Sequence, residues 1–325
     1  MKAIKCTKYG SPSVLKIVEI DKIIPKDNEI LVKNYATTVT IADCRVRGFK
    51  VPASFWLPAR LALGLSKPRQ TILGSELSGI IEAVGKNVTK WKIGDEIFSF
   101  SGHKMGAYSE FCIIKDTDAI AIKPQNLTFE QSAALSFGGI TALHFLKKAN
   151  IKKDEKILIY GASGSVGTYA VQLAKYFGAK VTGICSTTNL ELVKKLGADT
   201  VIDYTKTNLT DINEKFDIVF DSVGKGNVSK IIKLIKPNGR YVHTVATPFM
   251  EMKIRFKLLN NKIKFIGGTY NDNISAELIH SIKKLADEGS IIPHIDKSFN
   301  FNEMVSAHEY VDTEHKKGNV TIKII

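Results

Sequence analysis

The chain has 325 residues, more than a single hydrophobic core ordinarily organises, so two domains are expected. Hydrophobic residues make up 44%, mean hydropathy is −0.02, and no apolar run approaches the roughly 20 residues of a membrane helix. That composition excludes a membrane-spanning class and points to a soluble globular protein. The formal charge of +14 favours anionic partners such as a phosphate-bearing cofactor, although the basic residues are spread along the chain and select none of them.

The amino terminus enters strand-like alternation at once, without the apolar core and cleavage site of a signal peptide, so a cytoplasmic protein is expected. Cys6, Cys44, Cys112 and Cys185 lie 38, 68 and 73 residues apart and form no C-x-x-C pair. Such spacing argues against a structural zinc site and a disulfide framework, leaving free thiols. The first third reads as short strands broken by Gly and Asp: Ile30 to Ala36, Ile80 to Val84 between Gly79 and Gly85, and a turn at Trp91 leading into a strand at Ile97 and Phe98. A compact β barrel or sandwich is the natural reading.

The pattern changes near residue 125, where Thr128 precedes a helix with Glu130 and Gln131 in its first turn. From Lys156 strands and helices alternate. Ile157 to Tyr160 is a buried strand, and Val166, Ala170, Leu173, Ala174 and Phe177 share one helical face closed by Gly178. Val181 to Cys185 is the next strand, followed by a helix from Leu190 to Leu196 ended by Gly197. Further strands are expected at Thr200 to Asp203, Asp217 to Phe220, Tyr241 to Ala246 and Lys262 to Ile266. The alternation predicts a doubly wound parallel sheet. From about Thr269 the tail carries an amphipathic helix (Leu278, Ile279, Ile282, Leu285) and a last strand, Val320 to Ile325, expected to rejoin the amino-terminal part.

The strongest local signal is Gly161-Ala162-Ser163-Gly164-Ser165-Val166-Gly167, placed between a strand and a helix. Gly161 suits a tight turn, Gly164 lets the backbone approach a pyrophosphate, and Gly167 lets the helix pack closely on the sheet. The N–H groups at Ser165 and Val166 would meet the phosphates at the positive helix end. A plain glycine-rich turn is the competing reading, and the surrounding alternation favours the phosphate site. An NAD site places Asp or Glu at the end of the second strand, where it binds the ribose 2′-hydroxyl. Here that stretch reads Cys185-Ser186-Thr187-Thr188-Asn189, and the first acid is Glu191 in the next helix. Hydroxyl and amide groups can donate to a 2′-phosphate, which favours NADPH and leaves NADH open. The same stretch also suits a helix cap.

In order and spacing, these residues resemble the quinone oxidoreductase, or zeta-crystallin-like, branch of the medium-chain dehydrogenase/reductase superfamily. The resemblance runs through Tyr9-Gly10-Ser11-Pro12, Asp43…Arg47-Gly48, Gly74-Ser75-Glu76…Gly79, Val88…Gly94-Asp95, Gly106-Ala107-Tyr108, Gly139-Ile140-Thr141-Ala142, the glycine turn, Leu196-Gly197-Ala198-Asp199, Phe220-Asp221-Ser222-Val223-Gly224 and His315-Lys316-Lys317-Gly318-Asn319-Val320. It implies an α/β fold with a Rossmann domain at 125–267 inserted in a GroES-like, β-rich catalytic domain at 1–124 and 268–325, the active site lying in the cleft between them. It implies that Thr141 sits near the nicotinamide, that Ser186, Asn189 and Tyr204 surround the 2′-phosphate, that Val245, Ala246 and Thr247 flank the nicotinamide ribose, and that Val223 is among the cofactor-binding residues. Gly318 and Asn319 would close over the cofactor. Relatives often carry Lys or Arg where Thr188 and Asn189 stand here, and Lys where Asn319 stands.

Zinc-bearing relatives have Gly-His-Glu where this chain has Gly74-Ser75-Glu76, and a Cys in the segment holding Asp43. Catalytic zinc needs three protein ligands and an open position, so no metal is expected. His103, His144, His243 and His315 are dispersed and read as packing or surface residues, with His103 in a loop that could border the cleft. Without a Lewis acid, hydride transfer suits quinones and α,β-unsaturated carbonyls, whose conjugation spreads the developing charge. No residue identifies itself as the general acid. Tyr9, Tyr108, Ser75 and Arg47 are conceivable polar neighbours. Val51 to Leu65, with Phe55, Trp56, Leu57, Leu61, Leu63 and Leu65, reads as an apolar flap over the substrate or, equally, as packing or a dimer contact. Two other readings stay open: a medium-chain alcohol dehydrogenase or carbonyl reductase, and a non-catalytic RNA binder regulated by NADPH, for which no RNA motif is present. A homo-dimer or tetramer is expected from the resemblance.

Overall fold

The computed structural model describes residues 1–51, 56–259, 262–268 and 272–325, apart from the side chains at 103, 272 and 273. The chain divides into two compact units, one made of Met1–Phe137, Asp272–Asp287 and Ile295–Ile325, the other of Gly138–Asn271 and Glu288–His294.

In chain order the first unit begins with β1 (Lys2–Cys6), β2 (Leu15–Glu19) and β3 (Glu29–Thr38). Helix α1 (Ile41–Gly48) opens on a capping box in which Thr40 accepts from the Asp43 amide and Asp43 accepts from the Thr40 amide, satisfying two end groups reciprocally. Then come α2 (Trp56–Leu63), β4 (Glu76–Val84), β5 (Glu96–Phe100), β6 (Phe111–Lys115) and β7 (Ala119–Ile122). A second capping box, between Thr128 and Gln131, starts α3 (Phe129–Ala134) where the sequence places a helix.

The alternating segment follows: α4 (Ser136–Lys148), β8 (Lys156–Tyr160), α5 (Ser165–Tyr176), β9 (Lys180–Cys185), α6 (Leu190–Lys195), β10 (Thr200–Asp203), β11 (Phe216–Asp221), α7 (Val228–Ile232), β12 (Ile235–His243), α8 (Pro248–Leu258) and β13 (Lys264–Ile266). The chain closes with α9 (Asp272–Asp287), β14 (Ile295–Asn300), α10 (Met304–Asp312) and β15 (Asn319–Lys323).

In the second unit, β8 to β13 form one six-stranded parallel sheet in the order β10-β9-β8-β11-β12-β13. The order reverses direction at β8, so the crevice beyond the carboxyl ends of β8 and β11 is where such a sheet binds ligands. Leu158, Ile184, Val219, Tyr241 and Ile254 belong to its buried core. In the first unit the main sheet runs β14-β15-β3-β4-β5-β7, with β6 also paired to β3. The carboxyl-terminal strand does rejoin the amino-terminal region, with Thr321 opposite Thr38 and Ile322 opposite Thr37 in an antiparallel ladder.

Among the expected elements that shift, one bears on the site. The strand placed at Tyr241 to Ala246 begins at Ile235 and ends at His243, because Thr247 caps α8 by accepting from the Met250 amide and Pro248 occupies its first turn. Val245 and Ala246 therefore lie in a strand-to-helix connection, where a ligand can be approached by backbone as well as side chains.

Candidate functional site

Three glycines in the turn after β8 have three different jobs. Gly161 sits at φ +85°, a left-handed conformation that side chains resist, and a Cβ there would lie 2.4 Å from Val223 Cγ2. A Cβ on Gly167 would lie 2.0 Å from the Gly161 carbonyl oxygen, so close passage of α5 over the turn demands glycine. Gly164 is different. At φ −80° and ψ 174° it has an ordinary extended backbone, and a Cβ would meet only the Gly161 oxygen, at 3.5 Å. No steric contact in the protein requires glycine at 164; it caps α5 and leaves its backbone open to a ligand resting on it. The cradle is open on that side and backed by the start of α5, which fits a dinucleotide pyrophosphate.

At the end of β9 the polar residues are tightly cross-bonded. The buried Asn189 donates from Nδ2 to Ser163 Oγ at 3.0 Å and to Ser186 Oγ at 3.1 Å, joining the glycine turn to the next loop. This corrects the expectation for Asn189: with both amide hydrogens committed inside the protein, it braces the loop and has none to offer a 2′-phosphate. The acid that the local sequence lacks is supplied by the neighbouring strand. Asp203, in register with Cys185, accepts from Thr187 Oγ1 at 2.5 Å and from Thr205 N and Oγ1 at 2.9 and 2.7 Å. The hydrogen bond from Thr187 and those from Thr205 hold its carboxyl below the usual range, so it is ionised at neutral pH. Tyr204 follows it and is exposed.

The loop after β11 packs on the glycine turn. Ser222 Oγ donates to the Tyr160 carbonyl at 3.0 Å, and Asp221 Oδ1 accepts from the Val223 and Gly224 amides at 2.9 and 2.8 Å. Asp221 is itself buried and accepts from the Tyr241 hydroxyl at 3.1 Å, with His243 Nε2 at 4.0 Å. A Cβ on Gly224 would lie 2.5 Å from Val245 Cγ2, so the loop after β11 packs on the connection after β12, while Val223 packs on Gly161. Thr247 Oγ1 is occupied as a cap, and Thr141 is buried in α4. The structure thus gathers Gly161, Ser163, Gly164, Ser165, Val166, Gly167, Ser186, Asn189, Val223 and Val245 around one end of the parallel sheet.

Gly318 and Asn319 belong to the first unit. The Gly318 carbonyl accepts from Lys316 Nζ at 2.5 Å, and Asn319 opens β15. That unit also holds a buried acid at the motif Gly74-Ser75-Glu76. Glu76 accepts from Ser136 Oγ at 2.8 Å, from the Phe137 amide at 2.6 Å and from Thr38 Oγ1. Burial pushes its carboxyl up to about 7 against the pull of those donors. Asp43 Oδ2 accepts from Thr40 N and Oγ1 at 2.8 and 2.6 Å; burial raises its pKa as well, opposed by the hydrogen bonds from Thr40, the Gly74 backbone and the Tyr108 hydroxyl. Burial draws the Lys316 amine down to about 8, opposed by Glu76 and Asp296.

Three conceivable substrate neighbours prove structural. Arg47 is buried, donates to Asp312 at 2.5 Å and to the Gly10 carbonyl at 3.2 Å, and contacts His308 Nδ1 at 3.0 Å. Arginine only donates, so Nδ1 of His308 accepts and Nε2–H donates to the Tyr108 hydroxyl at 3.1 Å. Burial and Arg47 hold His308 neutral, with its pKa at about 3. Tyr9 donates to the Gly64 carbonyl at 2.9 Å. Ser75 is buried, and its carbonyl accepts from the Ser101 amide at 2.8 Å and hydroxyl at 3.2 Å. Sequence reasoning overlooked His308 because its partners lie up to 264 residues away. The side chain of His103 lies outside the described residues, as does Phe55. In α2 Leu57 and Leu61 are exposed, and Arg60 stacks on Phe49 at 3.9 Å and Tyr9 at 4.8 Å. Among the described residues no group of three His, Cys, Asp or Glu side chains could hold a metal ion, and no helix is long and apolar enough to cross a membrane.

Two family profiles match: the alcohol dehydrogenase GroES-like domain over residues 26–124 and the zinc-binding dehydrogenase over 196–322. Both are profiles of dehydrogenases, an oxidoreductase class. The 2-methylene-furan-3-one reductase of Solanum lycopersicum is 33% identical over 99% of this chain and 79% of its own length. The chloroplastic NADPH-dependent alkenal/one oxidoreductase of Arabidopsis thaliana is 29% identical over the same shares. The solved quinone oxidoreductase of Coxiella burnetii superposes with a TM-score of 0.88 at 29% identity, covering 100% of this chain and 99% of that one. The chain belongs to the medium-chain dehydrogenase/reductase superfamily, in its quinone oxidoreductase branch.

Proposed function

We propose that the protein is a reductase that takes a hydride from NADPH and delivers it to a quinone or an α,β-unsaturated carbonyl without a metal. The observation that carries this reading is the open backbone cradle at Gly164, at the N-cap of α5, where a Cβ would meet nothing in the protein closer than 3.5 Å and a ligand can rest on the backbone. The relatives named for reduction of alkenals, enones and quinones support the substrate class.

A bound reduced nicotinamide supplies the hydride. The chain's residues do the rest. The turn from Gly161 to Gly167 would hold the pyrophosphate, and Val223 and Val245 would stand beside the nicotinamide ribose, so that the chain orients the dinucleotide. Ser75 and Asp43 stand where zinc-bearing relatives have His and Cys, so the acceptor must spread its own negative charge through conjugation. Solvent provides the closing proton. Ser186 and Tyr204 at the ends of β9 and β10 favour the 2′-phosphate of NADPH. Asp203 favours a second reading: its carboxylate, one strand from Ser186, repels a phosphate and would suit the 2′-hydroxyl of NADH.

The test is fluorescence titration with NADPH and NADH, followed by cofactor oxidation with quinones, enones and saturated ketones. NADPH binding with turnover of conjugated acceptors alone is expected. Absence of binding by either cofactor would remove the proposal, and a preference for NADH would replace its cofactor half with the second reading.

A further inference from the structure

Resting on the dinucleotide reading, we propose that Asn189 is the positioning residue that makes Ser163 and Ser186 hydrogen-bond donors toward the cofactor's phosphates, and that it thereby raises selectivity for the 2′-phosphorylated dinucleotide. Asn189 is only 7% exposed. Its amide orientation is set by Thr188 Oγ1, which donates to Oδ1 at 3.3 Å. Both Nδ2 hydrogens then go to serine oxygens, Ser163 at 3.0 Å and Ser186 at 3.1 Å.

A serine hydroxyl has one proton and two lone pairs. Once a lone pair is taken by an amide hydrogen, the proton points away from that amide. Ser163 lies in the glycine turn, and Ser186 follows the second strand, where the ribose 2′ substituent sits. Phosphate oxygens only accept, so a hydroxyl held as a donor suits them, and a bond to a charged acceptor is the stronger kind. One buried amide therefore sets the polarity of two hydroxyls at the two anionic ends of the adenosine half. It also ties the loop after β8 to the loop after β9; Thr188 Oγ1, also near Ser186 Oγ, lies at 3.5 Å, a long contact that a charged phosphate acceptor outcompetes for the Ser186 proton.

The test compares wild type with Asn189→Leu, Ser186→Ala and the double variant, titrating NADPH, NADH, 2′,5′-ADP and 5′-AMP, with the thermal midpoint as a folding control. Leucine matches asparagine in shape and offers no hydrogen. Each single change is expected to lower the NADPH-to-NADH affinity ratio, and the ratio for 2′,5′-ADP over 5′-AMP, by about fivefold or more. The double variant should do little worse than Ser186→Ala alone, since Asn189 acts at that end through Ser186. A merely structural Asn189 would weaken all four ligands alike and leave the ratios unchanged, which overturns the proposal. Should Asn189→Leu fail to fold, Ser186→Ala decides: an unchanged ratio in that variant overturns it equally. Wild type that binds none of the ligands overturns the dinucleotide reading itself; binding with unmoved ratios overturns only the role of Asn189.

Discussion

The polar groups of the two units are bonded on very different scales of sequence. Around the glycine turn the partners lie closer in the chain: Asn189 reaches Ser163 across 26 residues, Thr187 reaches Asp203 across 16, and Ser222 reaches Tyr160 across 62. In the first unit Arg47 meets Asp312 across 265 residues, and Tyr108 meets His308 across 200. The near set lies at the carboxyl end of the parallel sheet, where the proposed cofactor would rest, and is built from adjacent strand-turn-helix units. The distant set is sealed in a core and forms only when both ends of the chain have come together. Position in sequence thus separates a binding surface, which can be read as a motif, from a stabilising network, which cannot.

The sharpest way to break that contrast is Arg47→Ala. It strips the guanidinium from the buried His308 Nδ1 and from Asp312, which keeps only Lys50 at 2.9 Å. Removing one partner of a buried ion pair costs about 3–5 kcal/mol, and the lower end applies here because Asp312 retains a cation. The urea midpoint should fall accordingly while the cofactor affinity of the folded fraction stays put. A variant as stable as its parent would show that the network is not holding the first unit together.

Glu76 sharpens the comparison through pH. Its native pKa of about 7 exceeds the ordinary 4.5, so the folded protein keeps a proton that the unfolded chain has released. Stability from this group is complete below about pH 4.5 and declines as pH rises through 7. The shift corresponds to roughly 3 kcal/mol. Glu76→Gln, which resembles the protonated acid and can still accept from Ser136 and Phe137, should be more stable than the parent by up to about that amount at pH 8 and equal to it at pH 4. Matching stability–pH curves for the two proteins would refute the buried-acid account.

Most of the parallel sheet was legible because each strand is a short apolar run closed by a turn residue, as at Ile157 to Tyr160 before Gly161. The end of β12 was not, since Tyr241 to Ala246 is dominated by strand-compatible apolar residues and only the cap at Thr247 and Pro248 marks where the chain must turn. Asp203 was missed for a different reason. It lies 18 residues beyond Cys185, and only the pairing of β10 with β9 brings the two side by side. Register across a sheet is a tertiary fact, so a rule that searches along one strand cannot find the acid contributed by the next. In the first unit the motif Gly74-Ser75-Glu76 was recognised, but the donors that hold Glu76 come from β3 and from the start of α4, and no local pattern announces them.

The smallest expected stability change carries the most information about function. Gly167→Ala forces a Cβ to within 2.0 Å of the Gly161 oxygen, an overpacking that should cost about 1–3 kcal/mol. Gly164→Ala meets no such obstacle: the backbone is already extended, and the nearest atom is 3.5 Å away. The poorer helix cap made by alanine and the lower entropy of its unfolded chain oppose one another, so stability should move by less than about 1 kcal/mol. Yet the methyl would project into the space where a pyrophosphate must touch the backbone, and NADPH affinity should drop tenfold or more. Calorimetry on the two variants therefore separates a glycine required by the protein from one required by its ligand. If Gly164→Ala binds cofactor as tightly as the parent, the turn is a packing device throughout, and the contrast between a ligand-facing unit and a self-bonded one disappears.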